Sequence, residues 1–191
     1  MADKSAHKAK TRARILEEAA GAIRTGGTQG ISVADLMKRA GLTHGGFYAH
    51  FASRDDLVAH AVGRTFEDSS MMLAHFLDGE PDLAGLIDFY LSEGAYRRVE
   101  KGCPLPGLAG EAGRMPTPAR ERFEAGVKRF RDRMSAALAT MGKTDSEELA
   151  SSVLAEMVGA MTLARSMLDD QAAFAFLDAS RSRIKARLGL E

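Results

Sequence analysis

Apolar residues recur at steps of three and four along nearly all of this 191-residue chain, and no run alternates apolar and polar residues long enough to compete as a strand. Phe123, Val127, Phe130, Met134, Leu138 and Met141, at steps of 4, 3, 4, 4 and 3, draw a single apolar stripe down one helix. The chain therefore reads as all-α, with about nine helices. Its length and its 45% apolar content allow a core that needs no covalent staples. A single cysteine excludes an internal disulfide framework and a cysteine-based zinc site, and points to a reducing, cytoplasmic setting.

The punctuation between helices carries more information than the helices themselves. Ser32-Val-Ala-Asp35 and Ser53-Arg-Asp-Asp56 both have the form of a capping box, a hydroxyl followed three residues later by an acid. Between them Gly41 suits the left-handed residue that ends a helix, and Thr43 suits the cap of the next. The pattern predicts helices over about 8–25, 33–40 and 44–51, then a long one from Arg54 toward Phe76. Two short helices around a glycine turn fit a helix-turn-helix. Further on, Pro81 is expected to open a helix that runs to about Lys101, and a short helix follows Cys103. Pro116 and Pro118 precede a long helix, Thr144-Asp-Ser-Glu147 is a third box, and the last helix spans about Gln171 to Leu188 before Gly189.

Zero net charge conceals an asymmetry. Residues 1–64 carry +4 and residues 65–191 carry −4, so an anionic polymer would meet one end only. The basic start runs into Glu17 and Glu18 where a signal peptide would need an apolar stretch. The longest mostly apolar stretch, Val153 to Ala164, is broken by Glu156 and is too short for a hydrocarbon layer of about 30 Å, so no membrane span is expected. No metal-binding His-Glu-x-x-His, phosphate loop or Gly-x-Ser-x-Gly elbow occurs, and no catalytic group, metal or cofactor is expected.

The segment Thr43-His-Gly-Gly-Phe-Tyr-Ala-His50 has the make-up of a rod that lies against nucleic acid. Gly45 and Gly46 each cost a helix about 1 kcal/mol relative to Ala, and close approach to a partner is the simplest compensation. Thr43 and the helix start can hold a phosphate, His44 can reach base edges or phosphate, and Tyr48 and His50 can bond phosphates or stack on sugar edges. Arg54 and the cap at Ser32 are placed for flanking phosphates, while Phe47 and Phe51 alternate inward as core.

These residues resemble the DNA-binding signature of TetR-family transcriptional regulators. The resemblance covers Gly30 to Val58, GISVADLMKRAGLTHGGFYAHFASRDDLV, with the turn at Ala40-Gly41-Leu42-Thr43, the helix end at Phe47-Tyr48-Ala49-His50-Phe51 and the sequel Ser53-Arg54-Asp55-Asp56-Leu57. Gly46 stands where many members have Thr and Ala49 where many have a second aromatic residue, so discrimination would lean on His44 and on DNA shape. The resemblance implies an N-terminal three-helix DNA-binding domain over 8–64 and a larger helical domain over 65–191 that binds a small-molecule effector and forms a homodimer. It also implies a regulator, of the repressor type, that releases a palindromic double-stranded DNA operator when the effector binds. Two helix-turn-helix units about 34–36 Å apart are needed to read successive major grooves.

For the effector pocket the candidates are Phe89, Tyr90, Tyr96, Cys103, Met115, Phe123 and Phe130, aromatic or polarisable side chains that also fill cores. For the dimer seam they are Val153, Met157, Gly159, Ala160, Met161, Phe174, Leu177 and Ile184, with plain core as the other reading. Cys103, at a helix start and near Lys101, is expected to have a lowered thiol pKa. It is either a sensor of electrophiles or oxidants or a small packed residue. The alternative to a regulator is a helical small-molecule carrier or enzyme whose N-terminal hairpin is incidental.

Overall fold

The computed structural model describes residues 2–190, with the side chains of 5–190. Among these residues the chain is helical with no strand. In order they form α1 (Ala2–Gly26), α2 (Val33–Arg39), a 3-10 segment (His44–Ala49), α3 (Arg54–Leu77), α4 (Leu83–Tyr90) and α5 (Glu93–Arg97). A 3-10 turn (Val99–Lys101), α6 (Leu105–Leu108), another 3-10 turn (Ala112–Arg114), α7 (Thr117–Thr140), α8 (Ser146–Ala164) and α9 (Asp170–Leu188) complete the chain.

The N-terminal unit closes because its punctuation is satisfied. Ser32 Oγ accepts from the N–H of Asp35 at 3.2 Å, and Ser53 Oγ accepts from the N–H of Asp56 at 3.1 Å, which starts α2 and α3 at the expected caps. Gly41 takes φ 67, and the Leu42 N–H reaches back to Met37 at 2.8 Å, so the backbone reverses where only glycine does so without strain. Ile15, Ala19 and Ile23 of α1 are fully buried, with α1 packed along α3 and against α2. α3 is the spine. It carries buried residues from Leu57 to Leu77, runs without a break across 64–65, and packs along α7. α7 packs on α8, α8 on α9, and α9 returns to α4.

Three expectations shift. The helix expected from Pro81 to about Lys101 is three pieces: Asp82, not Pro81, caps α4 through Gly85 N–H at 2.7 Å, and Ser92 ends that helix and caps the next. The Ser92 hydroxyl donates to Phe89 at 2.8 Å and accepts from Ala95 N–H at 3.0 Å, one side chain serving both helix ends. The box at Thr144 does not form. Gly142 (φ 82) folds Lys143 N–H back onto Leu138, Asp145 takes the cap position without a side-chain bond, and α8 starts at Ser146. The segment expected as an α-helix over 44–51 is a 3-10 helix over His44–Ala49, with Gly46 N–H bonded to Thr43 at 3.0 Å and His50 N–H to Phe47 at 2.9 Å. Two glycines in so short a run weaken the wider α form, and the tighter spacing suits short pieces.

Candidate nucleic-acid interface and cavity

Phe47 and Phe51 anchor the 3-10 segment from beneath. Both are buried, and their rings stack at 5.6 Å. This leaves Thr43, His44 and Gly45 exposed, with Tyr48 70% exposed and held only by its edge against Phe47. Thr43 sits at the cap position without a capping bond from its hydroxyl. A Cβ built on Gly45 would meet nothing within 4 Å, and its φ is not left-handed. Neither backbone nor packing inside the chain explains that glycine. Gly46 is partly covered, and a Cβ there would lie 3.6 Å from the Met37 side chain.

His50 is half-buried beside α1, with its Nδ1 enclosed and without a partner among the described residues. Burial holds its imidazole below the usual range, and the charges of Lys8 and Arg12 push the same way. Arg12 lies over the Phe51 ring at 4.8 Å. Lys8 and Arg12 are thus basic groups alongside the exposed segment that spacing within 30–58 does not reveal. The signal for them was the basic leader of the first helix.

Ser32 is exposed but its Oγ is engaged as the α2 cap. Arg54 is placed differently from expectation. Its Nη2 donates to the carbonyl of Thr28 and its Nε to that of Ile31 at 3.4 Å, so the guanidinium ties down the α1–α2 turn rather than pointing outward for phosphate. Thr28 is held from the other side as well, its N–H donating to Glu111 Oε1 at 2.7 Å and its hydroxyl to Oε2 at 3.1 Å. A second clasp lies at Arg24, 5% exposed, which donates to the carbonyls of Glu100 and Thr65 and to Asp68 at 2.9 Å.

Asp68 also forms part of the wall of a cavity of about 610 Å³. Met72 of α3, Phe89 and Tyr90 of α4, Cys103, Met161 of α8 and Arg165 at its C-cap line it. The Tyr90 hydroxyl adjoins the Cys103 thiol but finds no well-directed hydrogen bond among the described residues. Burial raises the Tyr90 phenol well above its ordinary pKa. Burial also pushes the Cys103 thiol up, against smaller opposing effects of the Tyr90 hydroxyl, the Leu105 N–H and the charges of Arg24 and Arg165. The expected lowering by Lys101 and a helix start is therefore reversed, because an enclosed thiolate loses more solvation than these neighbours return.

Residues 15–61 match the family model "Bacterial regulatory proteins, tetR family", and residues 79–180, more than half the chain, match "Tetracyclin repressor-like, C-terminal domain". The chain belongs to the TetR family. It is 25% identical to a TetR transcriptional regulator from Chloroflexus aurantiacus J-10-FL, with a TM-score of 0.82 over 97% of both chains. The reduced form of NemR from E. coli (19% identity, TM-score 0.79, 93% of this chain and 96% of that one) shares the fold. So does a TetR-family regulator from Agrobacterium tumefaciens (22%, 0.78, 93% and 98%). No curated protein matched by sequence.

Of the pocket candidates in this TetR-family chain, Phe89, Tyr90 and Cys103 meet at the cavity. Tyr96 lines a neighbouring hollow with Arg97 and packs its edge on Phe174 at 5.3 Å. Met115, Phe123 and Phe130 are buried core. Phe123 sits on Phe66 at 5.7 Å, and Phe130 backs Tyr90 at 6.2 Å from behind the cavity wall. The half-buried Arg165, which sequence reasoning missed, enters from α8 and was hidden by lying far along the chain from the other lining residues.

The seam candidates Val153, Met157, Ala160, Met161, Leu177 and Ile184 are turned into the chain's own core. Only Gly159 and Phe174 are partly open, and Phe174 is covered by Arg97 and Tyr96. The outward side of the same helices carries Ala155, Gly159 and Leu163 on α8 and Ala175, Phe176 and Ala179 on α9. Periodicity did not show which of two apolar sides of these helices is needed internally. Among the described residues no group of His, Cys, Asp or Glu could hold a metal ion, and no helix is long and apolar enough to cross a membrane.

Proposed function

We propose that this TetR-family protein is a homodimeric transcriptional repressor, acting in the cytoplasm, that a small molecule releases from a palindromic operator. The observation that carries the DNA reading is Gly45. It is exposed in the middle of a segment backed by buried Phe47 and Phe51, and it lacks any internal reason to be glycine. A missing Cβ there lets the backbone approach a duplex, with His44 and Tyr48 on either side for groove and phosphate contacts and His50, Lys8 and Arg12 for the adjoining strand. Thr43 can add its open hydroxyl, Ser32 its cap, and Arg54 supports this reading unit by fixing the turn at 28–31.

The division into a reading unit over 8–64 and an effector and dimer unit over 65–191 is part of the proposal. Two reading units must be held at a fixed separation, and the small and apolar outward side of α8 and α9 suits a second copy of this chain. The cavity is the effector site. Its wall at 98–103 bears on α1 through Arg24, and the segment at Glu111 bears on the α1–α2 turn through Thr28. An effector that binds one wall arrangement more tightly than the other shifts the reading units toward the matching orientation.

The test is selection of binding sites from random duplexes followed by gel shift. Enrichment of a two-fold symmetric site is expected, with affinity falling steeply as salt rises. Combined Tyr48→Ala and His50→Ala changes should abolish binding with the melting curve intact. A chain that enriches no site, or a double variant that binds like the parent, overturns the reading.

A further inference from the structure

We propose that the cavity selects a small organic anion, a carboxylate or sulfonate carried on an apolar body about the size of two or three rings. The polar groups at its wall are donors with little left to donate to. Arg165 spends Nε on the Tyr96 carbonyl at 3.2 Å and Nη2 on the Ala95 carbonyl at 2.8 Å, and its Nη1 has no bond among the described residues. Tyr90 is 97% buried, its hydroxyl makes no well-directed hydrogen bond among the described residues beyond its contact with the Cys103 thiol, and it lies within the electrostatic reach of Arg165. Arg98 and Lys101 add two further cations at the wall, and neither forms an ion pair among the described residues.

Acceptors are scarce by comparison. Asp68 is the lining carboxylate, and it is already neutralised by Arg24 at 2.9 Å and Arg64 at 3.1 Å. Ser69 gives its hydroxyl proton to the Thr65 carbonyl, and Ser92 is engaged at both ends of the α4–α5 break. A cationic ligand would meet uncompensated positive charge. A neutral one would fill the space while leaving a guanidinium nitrogen and a phenol unpaired, which costs more in an enclosed site than in water. An oxyanion satisfies both. Burial also holds Arg165 below the usual guanidinium range, so a negative ligand would relieve that desolvation. Met72, Phe89 and Met161 supply an apolar wall for the rest of the ligand, and about 610 Å³ is in the range of small-molecule sites.

The inference rests on the reading of this cavity as the effector site, and the two are separated by measuring binding and DNA release independently. The probes are 8-anilinonaphthalene-1-sulfonate and N-phenyl-1-naphthylamine, which differ only in the sulfonate. Fluorescence titration of the full-length protein in about 0.15 M salt is expected to show the sulfonate binding about tenfold tighter or better, since bonds to a charged group are worth roughly twice neutral ones. Tyr90→Phe should weaken the sulfonate about three- to tenfold and leave the neutral probe within about twofold. Arg165→Gln should weaken the sulfonate more. Because Arg165 also carries two carbonyls, its folding is checked by circular dichroism, and Tyr90→Phe stands alone if that variant does not fold. Equal binding of the two probes overturns the inference. So does a sulfonate preference that Tyr90→Phe leaves untouched, which would place the dye on the basic DNA-facing surface. Dye bound in the cavity without release of operator DNA counts against the effector reading and leaves anion selectivity standing.

Discussion

Tyr90→Phe should make the ligand-free protein more stable. The residue is 3% exposed, and its hydroxyl has only the adjoining Cys103 thiol, a weak partner, and no well-directed hydrogen bond among the described residues. Folding strips water from it without full replacement, a cost of about 1–3 kcal/mol for a buried hydroxyl. Against that gain stands the loss of one oxygen atom's dispersion contacts, each worth about 0.1–0.2 kcal/mol, of which the cavity side supplies few. The ring stays, with its edge contact to Phe130 at 6.2 Å. The net is about 1 kcal/mol of stabilisation, or about 2–4 °C in melting temperature for a chain of this size. Parent and variant are melted at matched protein concentration, because the Tm of the proposed dimer would depend on concentration.

The same substitution has an alkaline signature. The folded phenol keeps its proton to higher pH than the unfolded one, whose pKa is near 10. The parent's stability therefore falls as pH rises past about 10, and the variant's falls less. A variant that melts lower than the parent at neutral pH would refute the reasoning. It would mean that the hydroxyl is well bonded to the Cys103 thiol, and Cys103→Ala would then destabilise by a similar amount.

Gly126→Ala on α7 gains about 1 kcal/mol of helix propensity, yet its Cβ would run into the buried Phe66 ring. That ring is wedged against Phe123, so overpacking wins and Tm falls by about 4–8 °C, net about 2 kcal/mol; a rise in Tm would show that the α3–α7 contact yields easily. Gly159→Ala meets nothing within 4 Å in the single chain, so sedimentation should show dimer weakening while helix content holds. An unchanged dimer with a gain of about 1 kcal/mol would remove that side of α8 from the seam. His50, held below the usual imidazole range when free, should take up a proton as DNA phosphates approach. Affinity should then rise as pH falls from about 7 to 6, and His50→Gln should flatten the trend; an equal slope in both proteins would exclude His50 from the interface. Iodoacetamide should alkylate Cys103 more slowly at neutral pH than a free cysteine, because burial keeps the thiol protonated; a faster rate would restore the reactive-sensor reading.

What was legible in the sequence was chiefly what local chemistry determines. The caps at Ser32 and Ser53, the left-handed Gly41 and Gly189, and the inward Phe47 and Phe51 all depend on neighbours within a few residues. The 3-10 form of 44–49 and the double use of Ser92 lie at the edge of that range, since they turn on small differences between competing hydrogen-bond spacings. Arg54, Arg165 and Cys103 were beyond it. Arg54 is claimed by carbonyls 23 to 26 residues away, Arg165 by carbonyls 69 and 70 residues away, and the Cys103 thiol is raised by enclosure that only the assembled helices provide. The burial of most seam candidates inside the chain was out of reach for a related reason. On a helix between two apolar neighbours, spacing shows that both sides are wanted but not by whom.

The fastenings at Arg24 and at Thr28 with Glu111 have a consequence for dosage. They join α1 to the segment on either side of α6, so under the proposed function the posture of the reading head and the shape of the cavity would share one equilibrium. Under the proposed function linkage works in both directions, and a copy seated on its operator would hold the effector more weakly by the same factor that the effector loosens the copy from DNA. The concentration needed to switch such a promoter would then be set jointly with the number of operator sites in the cell, and adding operators on a plasmid would make the bound population harder to address.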